Sequence, residues 1–551
     1  MKPTAETGHL SAFPAPTKVL KKAPLMASIP PPLSPSSSSS SYSPSNYSSS
    51  SITQMGSDHI ISILLLLPVE SILSFSMTCR RFRSVASSDS VWEPICRREW
   101  GSGGVDALVA SLSQQERQRL SWKRLYAQVS RLSSLSCRRL SSKSGAFPNP
   151  RASHSLNFIS DWLVLFGGGC EGAVFLWILF SSVSRLLPSN LTYFFYVWRN
   201  SVLHENVILC SNAYLFKFIL CYSSACLKLS TKSGRHLDDT WVAYIGNGHN
   251  RVICWQHVNS GVPSGRFGHT CTLLSKFLVL FGGINDNGER LNDTWIGEVL
   301  YEGQIDLRIA WRLLDVGTLV PPPRGAHAAC CVGDQRVMIH GGIGLYGLRF
   351  DDTWILDLSD DFKSGRWHQV MNGQSSPSPR SGHSLTWIGG TYMVLFGGRG
   401  SGYEVLNDVW LFDVGGDGPE WKELKLSGLA SEMPLPRVGH SATLILGNKI
   451  LIYGGEDSER HRKDDFWVLD IGALRSFQTA GSKKTPRKLW KRLSIEGHSP
   501  QYRSFHGVCT DRSGHYVYVF GGMVDGVVHP AEAYGLSFNG ELYQVKLVLQ
   551  L

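Results

Sequence analysis

The sequence predicts an all-β six-bladed β-propeller, preceded by a small all-α module and a disordered N-terminal tail. Three observations carry this: a six-fold internal repeat, a stretch of short apolar helices ahead of it, and a Ser- and Pro-rich start with six consecutive serines, Ser36 to Ser41. With 551 residues, 42% hydrophobic and 18% charged, the chain has material for a packed core, and global disorder is excluded.

The repeat opens on Arg-x-x-His, at Arg151/His154, Arg266/His269, Arg324/His327, Arg380/His383, Arg437/His440 and Arg503/His506. An apolar run and a Gly-Gly pair follow each time, and the second Gly lies 17, 17, 18, 18, 18 and 19 residues after the Arg. Ten residues after that Gly comes an acid, and two further on an aromatic: Asp293/Trp295, Asp352/Trp354, Asp408/Trp410, Asp465/Trp467 and, in the sixth repeat, Glu532/Tyr534. A further Trp follows at 255, 311, 367, 421 and 490.

These features describe a four-stranded blade. A short all-apolar run suits a strand buried on both faces. Gly-Gly suits its end, where backbones crowd and positive φ is required. The later Trp residues fill the space between blades. Units arranged radially bury every face and leave only short edges. The pattern closely resembles kelch repeats, over some 400 residues, which implies a kelch propeller over 146–551.

The first repeat departs from the rule. Gly168 to Asp239 spans 71 residues where the others have 10, and removing Ala173 to Ser233 restores the spacing. The inserted stretch lacks Asp and Gly and has no turn punctuation. It reads as an intron-derived segment, with a genuine loop as the alternative.

Residues 58–101 change character: Asp58 to Leu67 is an apolar helix, Pro68 breaks it and starts another, and Cys79-Arg-Arg-Phe82 and Trp92 follow. Asp58 is placed to cap the first helix. So much apolar surface exceeds what about 45 residues bury alone, so the module should dock on a partner or a neighbouring domain. The stretch 55–101 resembles an F-box, although the family's leading Leu-Pro-x-Glu is here Met55-Gly-Ser-Asp58. The resemblance implies binding of a Skp-type adaptor, and through it a cullin–RING ligase, by Ile60, Leu64, Leu67, Pro68, Glu70, Ile72 and Leu73.

Residues 102–145 read as a helical connector, with one helix from Gln114 to Leu132. The stretch from Arg97 to Lys143 carries ten basic and three acidic residues. Together with the tail, residues 1–54, it accounts for the chain's net charge of +10. Since Leu120, Trp122, Leu125, Tyr126 and Val129 share that helix, a solvated basic face is expected and no nucleic-acid contact. Twelve cysteines without a C-x-x-C pair indicate neither zinc nor a disulfide framework, and point to the cytoplasm, the nucleus or both. No run reaches the 18 apolar residues of a membrane span.

No nucleophile elbow, P-loop or dinucleotide fingerprint is present, and the repeated Arg and His read as hydrogen-bonded groups between blades. The expectation is no catalysis, no metal and no cofactor. Tail residues are too few for the flavin domain of similar plant proteins. Function then falls to loops on a rigid scaffold. The loops between second and third strands display Arg290, Tyr346, Arg349, Arg399, Tyr403, Arg460, His461 and Arg462, types suited to protein side chains or carboxylates. The pairing of the two resemblances implies the substrate receptor of an SCF-type ubiquitin ligase. The alternative is a kelch scaffold acting outside one.

Overall fold

The computed structural model describes residues 52–142, 145–170, 236–246, 252–302, 306–371, 373, 375–415, 418–424, 433–472, 489–525 and 536–549. The insertion at 173–233, nearly all of the N-terminal tail, and the pair Glu532/Tyr534 lie outside the described residues. The chain divides into a unit ending at Gly56, of which a single 3-10 turn at Ile52–Gln54 is described, and a second unit from Ser57 to Leu551.

The second unit begins with seven short helices among its described residues: α1 (Ser57–Leu65), α2 (Val69–Ser76), α3 (Arg80–Val85), α4 (Asp89–Trp100), α5 (Ser102–Ser111), α6 (Gln114–Arg119) and α7 (Trp122–Ser130). Asp58 sits inside the first turn of α1, where a negative charge favours the helix dipole, and does not cap it. Pro68 takes the N-cap position of α2, with ψ 151° keeping it out of the helix. The single helix expected from Gln114 is two. A capping box starts α6, with Ser113 Oγ accepting from Glu116 N and Glu116 Oε2 accepting from Ser113 N. Extended φ/ψ at Leu120 and Ser121 then breaks the chain before α7.

Buried Ile60, Leu64, Ile72, Phe82, Trp92, Ile95, Leu108, Leu125 and Val129 form the core of this module. Its polar tips are satisfied: Trp92 Nε1 donates to Ala86 O at 2.8 Å, and Tyr126 Oη to Glu99 Oε2 at 3.0 Å.

The rest is a propeller-like arrangement of β-sheets. The first four repeats each give a separate meander, such as Thr270–Leu274, Phe277–Ile284, Arg290–Glu302 and Asp306–Leu313 in the second. Six separate blades are expected, yet among the described residues there are five large sheets and one small three-stranded one. The strands of the fifth and sixth repeats share one nine-stranded sheet, because Ser134–Ser142 lies between them. That strand runs parallel to Trp490–Gly497 and antiparallel to Leu542–Leu547. It also corrects the helical connector of 102–145. Its alternation, with Leu135 and Cys137 buried between half-buried Ser134, Ser136 and Arg138, is that of a strand.

The same strand ties the helical module to the sheets, aided by the turns at one end of the last two repeats. Asn448 Nδ2 donates to Glu99 O, and Lys491 Nζ to Arg131 O at 3.0 Å. Gly447, at φ 85°, leaves room for Val129, which would stand 2.1 Å from an added Cβ.

Candidate functional site

The repeated Arg is a frame within its own repeat. Arg266 is fully buried, and its two terminal nitrogens bond Asp293 at 2.7 and 2.9 Å while Nη1 also donates to Gly282 O. Arg151–Asp239, Arg324–Asp352, Arg380–Asp408 and Arg437–Asp465 repeat this geometry. The Trp two residues later closes each triad, as Trp241 Nε1 does on Asp239 at 2.6 Å. These pairs therefore lie inside blades, and not between them as expected. Burial alone raises the Asp239, Asp352, Asp408 and Asp465 carboxyls, but the paired Arg and the Trp N–H outweigh it and hold them below the usual value.

In the sixth repeat the acid and aromatic slots fall on Glu541 and Tyr543, nine residues beyond the sequence reading. Leu542 pairs with Phe520 as Thr294 pairs with Phe281, and Tyr543 Oη bonds Glu541 Oε2 at 2.5 Å. The spacing rule missed them because this repeat has a longer connection.

The repeated His does cross between repeats. His269, His440 and His506 reach Ser155, Ser384 and Ser441 of the preceding repeat, and His327 reaches Thr270. Where that slot is Ala328, His340 takes over and meets His383 at 3.1 Å. Burial, reinforced by the adjacent Arg, pulls His269 and His440 down to about 3, so the rings are neutral. These groups are structural.

A ring of backbone bonds joins the repeats. Ser153, Gly268, Ala326, Gly382, Gly439 and Phe505 each link to the next by N–H···O at 2.7–2.9 Å, and Ser153 N returns to Phe505 O. One residue before each lies a rung of three side-by-side residues: Ala152–Gly169–His236, Phe267–Ile284–Arg290, Gly325–Ile343–Arg349, Ser381–Arg399–Val405, Val438–Glu456–Arg462 and Ser504–Met523–Phe538. The variable second-to-third loops rise directly from these rungs.

The rungs bring Arg290, Arg349, Arg399 and Arg462 together at equivalent heights around the ring. Arg349 and Arg462 are buried, at 8% and 7% exposure, and each donates Nε at 3.2 Å to a serine on the next rung, Ser381 and Ser504. Arg349 also stacks over the Tyr403 ring at 4.6 Å. Glu456, which the sequence reading missed, sits buried among them, 3.6 Å from Arg399 and 3.7 Å from Arg462, and accepts from Ser504 Oγ at 2.9 Å. Burial raises its carboxyl despite these arginines. Its signal was the acid at a rung position that other repeats fill with Gly, Ile, Arg or Met. Tyr346 and His461 stand exposed farther out, and Arg460 at positive φ shapes the Asp457–His461 turn.

In the helical module, Ile60, Leu64 and Ile72 point into the core, so their assignment to adaptor contact is corrected: helix periodicity puts them on the inner face. Leu67 is half-buried, and Pro68, Glu70 and Leu73 are exposed. The exposed apolar strip instead comprises Leu66 at 85%, Met77 at 78%, Ile63 and Leu73.

Two family descriptions match the chain: F-box-like over residues 57–98, and the KLHDC2/KLHL20/DRC7 Kelch-repeats domain over 230–431, 306–488 and 417–543. An F-box/kelch-repeat protein of Arabidopsis thaliana is 47% identical over 518 residues, which covers 91% of this chain and 94% of that relative. The chain belongs to the F-box/kelch-repeat family. Adagio-like protein 3 of Oryza sativa subsp. japonica is 26% identical over 85% of this chain, which spans 60% of that longer protein. Adagio protein 3 of Arabidopsis thaliana is also 26% identical, with 62% of it covered. In this F-box/kelch chain the helices that follow the F-box, α5 and α7, rest on the first-to-second-strand turns at Arg512 and Gly447. The arginine rungs lie at the opposite ends of the strands, since direction alternates within each meander.

Proposed function

We propose that this chain is the substrate-recognition subunit of an SCF-type E3 ubiquitin ligase. The F-box binds a Skp-type adaptor and through it a cullin–RING ligase, and the kelch propeller holds the protein substrate. The chain supplies no catalytic group; it raises the local concentration of acceptor lysines near a charged enzyme elsewhere in the assembly. The observation that carries the reading is the strip of Ile63, Leu66, Leu73 and Met77, whose exposure in an otherwise packed module suits an apolar partner. We also count six blades, the last two fused through Ser134–Ser142, a reading supported by the six-membered backbone ring.

The test is a pull-down of a Skp-type adaptor and cullin with the full chain and with the Leu66→Asp, Leu73→Asp double variant. Capture by the parent and loss in the folded variant is the expected result. Absence of capture by a folded parent overturns the ligase reading in favour of a scaffold outside it.

A further inference from the structure

We propose that Lys463 is a latent ubiquitin-acceptor site of the receptor itself, masked by its ion pair with Asp457. This deepens the substrate-receptor reading and rests on it.

A receptor that holds a substrate near a ubiquitin thioester holds its own neighbouring lysines there too. In the transfer, a lysine Nζ attacks the thioester carbon, an isopeptide bond forms and the carbon–sulfur bond breaks. The amine's proton goes to the cysteine sulfur of the conjugating enzyme, which leaves as a thiol. Within one assembly effective concentrations reach roughly the millimolar range, so a receptor lysine competes with those of the substrate. Arginine cannot take this part, because its guanidinium stays charged, whereas lysine is the residue that carries ubiquitin.

The loops above the rungs follow that division. Among the described residues, the second-to-third loops and their rungs carry Arg290, Arg349, Arg399, Arg460 and Arg462, and one lysine, Lys463. Its Nζ meets Asp457 Oδ2 at 2.7 Å, and its side chain is only 17% exposed. Asp457 is itself fixed, since its Oδ1 accepts from His461 N at 2.9 Å and Glu459 N at 3.0 Å. The lysine's main chain is fixed too: Lys463 N donates to Gly455 O, and Lys463 O accepts from Arg503 N. Both ends of the pair are therefore anchored, and the amine is turned onto the carboxylate and away from an approaching thioester. Lys276 and Lys363, by contrast, are 53% and 79% exposed, and they lie at the opposite ends of the strands. The mask is one carboxylate, so removing its charge frees the amine.

The test reconstitutes the full chain with a Skp-type adaptor, a cullin–RING ligase, a conjugating enzyme and ubiquitin, without substrate. Modified lysines are mapped residue by residue by mass spectrometry, which keeps Lys217, Lys228 and Lys232 of the insertion out of the comparison. The parent is compared with Asp457→Asn, with Asp457→Asn plus Lys463→Arg, and with Ser458→Lys, which sets an unmasked lysine on the same exposed turn. Asparagine keeps an oxygen for the His461 and Glu459 amides, and unchanged melting temperatures verify the fold. Ubiquitin at residue 463 is expected to rise about tenfold or more in Asp457→Asn and to vanish in the double variant, while Ser458→Lys is modified at 458. Modification of Lys463 in the parent as fast as in Asp457→Asn would overturn the proposal. So would an unmodified residue 463 in Asp457→Asn, whether 458 is modified, so that the face is reached and Lys463 does not accept, or is not, so that the face is out of reach. Adaptor pull-down on the same preparations keeps the two readings apart: capture with no gain at 463 removes only this inference, and no capture by the folded parent removes both.

Discussion

Arg151 and Asp239, 88 residues apart, meet in a two-pronged ion pair at 2.6 and 2.9 Å, the same geometry that Arg266 and Asp293 reach across 27 residues. The first repeat therefore closes its internal frame with the insertion present in the chain. Deletion of Ala173 to Ser233 should leave that frame whole, since Gly172 and Gly234 then restore the ten-residue spacing. The deleted chain is expected to melt within about 2 °C of the parent, since loop length costs little once the ends are held. A large fall in melting temperature would show that the segment packs on the propeller.

Stability should depend on pH through the buried imidazoles. Burial draws His269, His340 and His440 from 6.5 to about 3, and His154, His327, His383 and His506 well below 6.5. The unfolded chain takes up these protons near pH 6.5 and the folded chain refuses them, so acid favours unfolding. Each ring removes about 1.4 kcal/mol per pH unit below that point. The melting temperature is expected to stay level above pH 7.5 and fall steeply between 6.5 and 5. The Asp carboxyls, held low by Arg, add losses only below the ordinary carboxylate range near 3.9. A level profile down to pH 5 would contradict the neutral rings.

One interblade tryptophan lacks the partner its counterparts have. Trp311, Trp367 and Trp421 donate Nε1 to Thr240, Thr294 and Thr353 at 3.2–3.4 Å, but the equivalent of these threonines facing buried Trp490 is Val409, and Trp490 Nε1 has no acceptor among the described residues. Val409→Thr should supply one and raise stability by about 1 kcal/mol, read as a higher denaturant midpoint. A lower midpoint would mean that the valine methyl matters more than the bond.

Within the F-box, the buried and exposed apolar residues should part company. Ile72→Asp places a charge in the module's core and is expected to cost several kcal/mol, visible as lost helical circular dichroism. Leu73→Asp, on the exposed strip, should change stability by less than about 0.5 kcal/mol. Equal losses would remove the distinction on which the proposed adaptor surface rests.

The repeats were legible because each one solves the same packing problem with the same residues: Arg, His, Gly-Gly, Asp and Trp recur at fixed spacing, and spacing survives in a one-dimensional string. The strand Ser134–Ser142 was not, because its partners Trp490–Gly497 and Leu542–Leu547 lie some 350 and 400 residues away and its own residues follow a basic helical stretch. The sixth acid–aromatic pair was displaced for a similar reason, as Glu541 and Tyr543 are found by register with Phe520 and not by counting from Gly522. At the candidate site, Arg290, Arg349, Arg399 and Arg462 were visible as loop cations. Their common height, and the carboxylate of Glu456 among them, were not.

The sequence by itself determined the two modules and their order, the kelch repeat, and the residues that frame each blade, because these depend on local spacing and on apolar periodicity. Only the tertiary structure decided which F-box residues face outward, that a strand from before the repeats fuses the last two sheets, and that two arginines held by serines differ in having Glu456 or Ile343 beside them. Those are contacts between residues far apart in the chain, and they exist only once the ring has closed.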